Sequence, residues 1–215
     1  MRRTEALTAE PEFPPGLFEE FKGQSLEEIC TGLGVELRTG QKAYTRDAVK
    51  GMANQAGLDG RCVLKAVRVG RSMQCEESMS LPVFRYCDLV EQSWRESDLC
   101  NLLSRPFVFF VFQSGDQRSQ TRFVGAVVRR FTDKQLESAR AVWEDTACKI
   151  EDGDFDSFIL ESETDMVFVR CHARNGADMQ PAPDGSMHIK RSFWISKRFI
   201  ESEVLSRLRQ TASNT

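Results

Sequence analysis

Side chains that could contact nucleic acid gather near the C-terminal end of this 215-residue chain. Residues 170–200 hold six Lys or Arg against two Asp, a local balance of +4 in a chain whose total is −3. Arginine offers a planar fork of donors that suits guanine or phosphate, and asparagine can pair with adenine. The candidate contact residues, which include both histidines of the protein, are Arg170, His172, Arg174, Asn175, His188, Lys190 and Arg191.

The same stretch has the pattern of a hairpin. Residues 166–171 and 187–194 are rich in strand-forming side chains, and the Gly-, Pro- and Asp-rich segment 176–186 predicts a loop between them. If residues 170–174 stay extended, alternate side chains from Arg170 onward share one face. The pattern is compatible with an ordinary solvated hairpin or with a surface that contacts DNA.

A second candidate for chemistry is Lys65, in the middle of a β-rich run. Metal-dependent nucleases hold divalent ions with carboxylates and use a nearby lysine to steady the attacking water. The residue two positions before Lys65 is Val63, which cannot bind Mg²⁺, and alternation puts it on the same strand face. The sequence favours a structural lysine whose stem packs on apolar neighbours. The alternative is an active site of Asp59, Glu76 or Glu77, and Lys65.

Two further patterns are weaker. Cys171 and His172 are adjacent, so in a strand their side chains point to opposite faces and cannot form a nucleophile pair. Four acids have the spacing of a calcium loop, but Ser157 stands where that loop needs glycine, which favours a solvated turn. These acids are Asp152, Asp154, Asp156 and Glu163.

The composition is that of a soluble globular protein, with 40% hydrophobic and 28% charged residues. None of the seven cysteines forms a Cys-x-x-Cys pair, which favours a reducing compartment and argues against a zinc ribbon. Because the whole chain is slightly acidic, any affinity for DNA must come from a local patch. We therefore expect a cytoplasmic, nucleoid-associated protein that does not span a membrane.

Periodicity predicts one α/β domain at 21–210 after a flexible leader at 1–20. Capping boxes at Ser25 and Thr132 predict helix starts, and the apolar run 106–112 predicts a central strand. We expect the helix after Ser25 to pack through Ile29 and the next helix, at about 45–56, to pack through Met52. The remaining predicted elements are strands at 62–69, 122–130, 155–160 and 166–171, a hairpin partner for the first of these at 76–84, and helices at 88–103, 132–150 and 196–208.

Seven short segments, in this order and spacing, resemble the MutH mismatch-repair nuclease and the restriction enzymes that cut at GATC. The likeness covers residues 22–200 and implies a restriction-endonuclease-like fold, with a mixed central sheet flanked by helices and two lobes around a DNA cleft. The segments are SLEE at 25–28, CVLKA at 62–66, ESMSLP at 77–82, WRES at 94–97, RCHARNGAD at 170–178, PDG at 183–185 and IKRSFW at 189–194.

The resemblance implies that most catalytic groups of the family are missing here. The catalytic Glu-Leu-Lys corresponds to residues 63–65, so only Lys65 is retained. The metal-binding aspartate of the family falls at Ala56, with Asp59 nearby, and a further active-site lysine corresponds to Leu102.

The DNA-reading elements of the family, in contrast, have basic counterparts. The family's reading arginine corresponds to Arg170, and its methyl-sensing tyrosine corresponds to His188. A first-lobe loop that contacts DNA falls near Lys42 and Tyr44. This pattern is similar to the non-catalytic, DNA-binding MutH-like copy found in the GATC-cutting restriction enzymes.

The sequence thus predicts a double-stranded DNA-binding pseudo-nuclease module that regulates or targets a nuclease domain or partner. No cofactor is expected for this function. The alternative is an active endonuclease, which would need Mg²⁺. A third possibility is a protein-interaction remnant that binds no DNA, which the overall acidity favours.

Overall fold

The computed structural model describes residues 16–35, 41–58, 60–117 and 120–213, with the side chains of 41–43 and 212–213 left out. The chain divides into two compact units. Unit 1 contains the described residues up to Glu76, then Arg105–Arg130 and those from Arg207 onward. Unit 2 contains Glu77–Ser104 and Phe131–Ser206. Each unit is built on its own three-stranded sheet.

The strands are short, and most carry apolar residues on at least one face. In chain order they are β1 (Val63–Val69), β2 (Met79–Val83), β3 (Phe107–Gln113), β4 (Arg122–Arg129), β5 (Val167–Cys171), β6 (Met179–Pro181), β7 (Met187–Ile189) and β8 (Arg191–Ile195).

The helices vary more in length. In chain order they are α1 (Leu26–Gly32), α2 (Gln41–Gln55), α3 (Tyr86–Glu91), α4 (Asp98–Leu103), α5 (Asp133–Glu151), α6 (Lys197–Phe199) and α7 (Ser206–Ser213), with 3₁₀ turns at Glu19–Phe21, Trp94–Glu96 and Glu161–Glu163 and a π-helical segment at Ile200–Leu205.

The sheet of unit 1 is mixed and has β3 at its centre. Strand β1 pairs with β3 in parallel, with Val63 opposite Phe107, and β4 pairs with the other side of β3 in antiparallel register. The side chains of β3 from Phe107 to Phe112 are fully buried on both faces of the sheet. This burial explains why the run is continuously apolar, and the predictions of a central strand and of a mixed sheet flanked by helices are confirmed.

Helices α1 and α2 cover one face of this sheet. Ser25 and Glu28 form the predicted capping box at the start of α1. The inward side chains Ile29 and Met52 are fully buried in one cluster with Phe110 of β3. The predicted inward faces of both helices are therefore confirmed.

Part of the predicted leader at 1–20 belongs to this core. Phe18 is buried, and its ring centroid lies 4.9 Å from that of Phe110. Residues 1–15 lie outside the described residues.

In unit 2 the sheet has β8 at its centre, between β2 and β5, and all pairs are antiparallel. Helix α5 begins at the predicted capping box of Thr132 and Gln135 and buries Ala139, Trp143 and Ile150. Strands β6 and β7 form a separate two-stranded ribbon, with Met179 opposite Ile189. The prediction of a structureless loop at 176–186 is therefore wrong for the part that forms β6.

Two other predictions are wrong, one of strand pairing and one of a strand. Residues 77–84 do not form a hairpin with β1, because β2 pairs with β8, although the Glu76 N–H donates to the Arg68 carbonyl at 3.1 Å. Pro82 has no backbone N–H, which suits an outer strand such as β2. Residues 155–160 form no strand. Phe155 and Phe158 are buried there, while the Asp154 carboxylate accepts the backbone N–H groups of Asp156 and Ser157 and closes a local turn.

The helix predicted at 88–103 is divided in the structure. Gln92 and Ser93 have extended backbones after α3 ends, and a 3₁₀ turn follows. The Ser97 hydroxyl then accepts the N–H of Cys100 and starts α4 as a separate helix. Ser and Asn side chains that bond to nearby backbone groups interrupt helices in this way.

None of the seven cysteines is joined in a disulfide bond. Across the described parts of the chain, no helix combines the length and the apolar character needed to cross a bilayer.

The Thr132 cap gives a first testable prediction. Thr132→Ala removes the acceptor for the Gln135 N–H and should lower the free energy of unfolding by about 1 kcal/mol, measured by urea denaturation. Ser138→Ala, at an exposed position inside α5, is the control and should be neutral or slightly stabilising. Equal stability of Thr132→Ala and the wild type would contradict a structural role for this cap.

Candidate nucleic-acid interface

The pairing of β5 with β8 positions the first of the predicted contact residues. Arg170 lies opposite Ser192, and Phe168 lies opposite Trp194. Because side chains alternate along a strand, Arg170, Ser192 and Trp194 share one face of the sheet. His172 follows the end of β5, and its backbone N–H donates to the Lys190 carbonyl at 2.9 Å.

The exposed Arg170 side chain stacks on Trp194. Its guanidinium carbon lies 5.1 Å from the centroid of the indole ring. A cation–π contact at an exposed site is worth about 0.5–1 kcal/mol, and it restricts the rotamers of a long side chain. Arg170 is therefore held over the indole ring, while its side chain stays exposed and its N–H groups can donate to a ligand.

His172 lies beside this pair. Its Nδ1 is 3.1 Å from the Ser192 hydroxyl, and its ring centroid is 5.9 Å from that of Trp194. Ser192 is fully buried in the sheet, so its hydroxyl holds the His172 ring against the sheet surface. Because Nδ1 makes this contact, Nε2 is the ring nitrogen of the exposed His172 that a ligand would meet.

One carboxylate lies near this group. Glu161 accepts the Lys197 backbone N–H at 3.0 Å and the Ser78 hydroxyl. Burial raises the pKa of the Glu161 carboxyl, but these hydrogen bonds and the charges of Lys197 and Arg170 outweigh burial and hold that pKa below its ordinary value. Glu161 is therefore an anion at neutral pH and offsets part of the local positive charge.

Asp178 organises the next two cations. Its carboxylate lies 2.5 Å from Lys190 Nζ and 3.4 Å from Arg174 Nε, and it also accepts the Arg174 backbone N–H. These contacts, with the Lys190 hydrogen bond the largest, lower the pKa of Asp178 to about 2. The chain bends at Arg174 and Asn175, so Arg174 does not continue the extended face of Arg170 and His172.

Arg191 and His188 point into unit 2. The Arg191 guanidinium donates to the Phe155 carbonyl at 2.8 Å and lies over the Phe158 ring. The His188 ring stacks on Phe155 with centroids 3.5 Å apart, and its Nε2 is 2.7 Å from the Ser186 hydroxyl. Both side chains therefore stabilise the fold at the base of the ribbon.

The other predicted contact residues have varied settings. Asn175 is exposed, and its side-chain oxygen accepts the Ala177 N–H, which leaves its amide group for a ligand. Tyr44 is half-buried against the core cluster of unit 1. The side chain of Lys42 lies outside the described residues.

Lys65 lies half-buried on β1, on the sheet face that alternation assigns also to Val63 and Val67. Burial lowers the pKa of Lys65. Glu76 does not share this face, because its carboxylate contacts the Ser114 hydroxyl at 3.0 Å and Arg68 Nε at 3.7 Å.

The other acids of the enzyme alternative have separate locations. Asp59 lies outside the described residues. Glu77 belongs to unit 2, whereas Lys65 belongs to unit 1.

No group of three or more His, Cys, Asp or Glu side chains suited to a metal ion occurs among the described residues. Of the acids with calcium-loop spacing, Asp154 closes the turn at residues 154–157. Glu163 accepts the Leu160 backbone N–H at 2.8 Å. The structure thus gives these two carboxylates local roles.

Unit 2 also contains a pocket of about 260 Å³. Its lining includes Phe84, Trp143 and Phe193, with Asp88 and Asp98 as acidic members. Phe193 alternates with Trp194 along β8, so the pocket lies on the opposite sheet face from Arg170. The lining also includes Arg85, which pairs with Asp88 at 3.7 Å.

Sequence reasoning did not identify Trp194, Ser192 or Glu161 as parts of the site. The first two follow from the register of β5 against β8, which the sequence does not specify. Glu161 is distant in sequence from the basic stretch, and no local pattern marks it.

No protein-family model matches this chain, and no curated protein matches it. The resemblance to the MutH nucleases therefore stays a prediction.

The Asp178 contacts predict a pH dependence. The pKa of Asp178 in the folded protein is about 2, below its ordinary 3.8. At pH values above 3.8 the ionised carboxylate therefore stabilises the folded state. This contribution is lost as the pH falls through about 2. The wild type and Asp178→Asn should therefore differ less in free energy of unfolding as the pH falls from 3.8 to about 2. Urea denaturation at several pH values would measure this difference.

A matched control is Asp165→Asn. This carboxylate pairs with Arg198 at 3.2 Å but is 90% exposed, so its removal should change stability little. A carboxyl titration by NMR that placed the pKa of Asp178 at 3.8 or above would disprove the proposed clamp.

Proposed function

We propose that this chain is a double-stranded DNA-binding module that targets or regulates nuclease activity supplied by another domain or partner. The observation that carries the proposal is the exposed pair of Arg170 and His172, held side by side on Trp194 and Ser192. The proposal also includes a restriction-endonuclease-like fold whose two lobes flank DNA, and a cytoplasmic, nucleoid-associated location.

The geometry at Trp194 suits recognition by hydrogen bonds. An arginine already held over an aromatic ring loses less rotamer freedom when it binds a ligand. Its donor fork can then make two parallel bonds to guanine O6 and N7, or to a phosphate. His172, beside it, can donate from Nε2 to an adjacent base edge or phosphate in the tautomer whose Nδ1 accepts the Ser192 hydroxyl.

Positive charge around this pair is local. Arg174 has an 87% exposed side chain, and Lys197 is exposed at the start of α6. Arg191 is used inside unit 2, and Arg198 pairs with Asp165. We therefore expect contact with few phosphates and a modest salt dependence of binding.

Two features support a module without cleavage activity of its own. The side chain of Val63, two residues before Lys65 on the same strand face, has no oxygen that could bind a metal ion. Glu76 is engaged by Arg68 and Ser114. The family's metal-binding glutamate is thus replaced by Val63, and one acid of the enzymatic alternative, Glu76, has other partners.

The central prediction concerns Arg170. Arg170→Ala should weaken duplex binding by roughly 1–3 kcal/mol if the contact is to a base edge, measured by fluorescence anisotropy at fixed salt. Arg170→Lys, which keeps the charge but loses the fork, should recover only part of the affinity. The matched control is Arg140→Ala, which removes an arginine that pairs with Glu144 on α5 of the same unit.

The duplexes for this measurement would come from a random-sequence pool, together with GATC-containing and modified sites. Unchanged affinity of Arg170→Ala for every duplex that the wild type binds would refute the proposed interface. Equal losses for Arg170→Ala and Arg140→Ala would indicate only a nonspecific effect of charge.

The enzymatic alternative has a separate test. We expect no cleavage of supercoiled DNA by the purified protein in Mg²⁺ or Mn²⁺. Cleavage that is lost in Lys65→Ala, while duplex binding is unchanged, would instead show an active nuclease. A catalytically silent wild type that binds duplex would agree with the module proposed above.

A further inference from the structure

The ribbon of β6 and β7 presents an apolar outer face. Met179, Met187 and Ile189 are 39%, 54% and 38% exposed, although each is a large hydrophobic residue. They account for three of the five exposed large hydrophobic residues in the described parts of the chain. In register, Met179 lies opposite Ile189, and Met187 lies opposite the exposed Pro181. Such a concentration of apolar side chains usually marks a binding surface.

The inner face of the ribbon is firmly attached to unit 2. Gln180 is buried and donates to the Phe84 carbonyl at 3.0 Å. His188, opposite Gln180, stacks on Phe155. The Tyr86 hydroxyl donates to the Ile189 carbonyl at 2.6 Å. Because these contacts fix the inner face, the orientation of the outer apolar face is fixed as well.

The end of the ribbon is a closed turn. Ala182 donates to the Ser186 carbonyl at 2.8 Å, and Gly185 has a φ of 83°, which favours glycine. The Asp184 carboxylate accepts the Ser186 backbone N–H, so it is engaged within the turn. The ribbon therefore has a defined shape, and the Asp184 carboxylate is hydrogen-bonded within its turn.

We propose that the outer face of this ribbon enters the major groove of DNA and contacts the C5 methyl group of thymine. This inference rests on the proposed DNA-binding function. A two-stranded ribbon fits the width of the major groove, and the thymine methyl is the apolar group exposed there. Methionine is flexible and polarisable, which suits contact with methyl groups at varied positions.

Continuity with the proposed interface favours DNA as the occupant. The ribbon lies in the chain between His172 and Arg191, and the Lys190 that ends it receives the His172 backbone N–H. Arg174 and Lys190 lie at its base, where phosphates would flank a groove. The nearby acid, Asp178, is only 13% exposed and is engaged by both cations.

The test compares two duplex pools of the same random sequence, one synthesised with thymine and one with uracil, which lacks only the C5 methyl. The wild type should bind the thymine pool more tightly, by about fourfold for each methyl group that becomes buried. Met187→Ser and Ile189→Ser should lose this preference while they keep binding to the uracil pool. Leu160→Ser, a change at a residue 57% exposed outside the ribbon, is the matched control.

The outcomes separate the two proposals. Absence of binding to both pools would overturn the DNA-binding function and this inference together. Equal binding of both pools by the wild type, with a clear loss in Arg170→Ala, would overturn the inference alone. Retention of the thymine preference in both ribbon variants would also overturn it.

A second copy of the chain is the alternative occupant of this face. Sedimentation of the wild type and Met187→Ser, with circular dichroism to check folding, tests this possibility. Dissociation of an oligomer by Met187→Ser, without a change in the preference for thymine, would assign the face to self-association and contradict contact with methyl groups.

Discussion

The antiparallel register of β5 against β8 is the constraint on which the candidate site depends. It places Arg170 opposite Ser192 and diagonal to Trp194. The side-chain period of a strand is two, so a slip of one residue would turn Arg170 to the other face of the sheet and separate it from the indole. Strand β8 is fixed from both sides, because it also pairs with β2. The buried side chains Phe193 and Ile195 on the opposite face resist such a slip as well.

The same register divides the basic stretch into two groups with different roles. Arg191, which alternates to the opposite face from Ser192, reaches the Phe155 carbonyl and becomes part of the structure of unit 2. Arg170 stays on the outer face with His172. Asp178 then holds Lys190 and Arg174 at the base of the ribbon. Residues 170–200 carry a charge of +4 in the sequence, but only part of it lies on the exposed surface. The proposed specificity therefore depends on a few positioned donors rather than on total charge.

Much of the fold could be predicted from local patterns. The capping boxes at Ser25 and Thr132 and the apolar run of β3 each depend on neighbours in sequence, and the structure confirms them. Pairing depends on distant residues, which is why β2 was wrongly assigned to β1. The ribbon was also missed, because β6 is only three residues long and contains a proline.

The site was predictable in composition but not in geometry. Arg170 and His172 could be proposed from residue type, whereas the buried roles of Arg191 and His188 require knowledge of Phe155, which lies on a different part of the chain. Trp194 was missed for a similar reason, since its contact with Arg170 exists only in the paired strands.

The location of Lys65 offers a structural explanation for its presence on a strand that contains no acid. Strand β1 is an outer strand of the three-stranded sheet of unit 1. A charged side chain that points inward on an outer strand disfavours pairing with a further strand, and thereby protects the sheet from aggregation. Burial lowers the pKa of Lys65 because it penalises the charged form, while the alkyl stem of a half-buried lysine can pack on apolar neighbours. A lysine at this position can therefore be retained for the stability of the sheet, whether or not it takes part in cleavage.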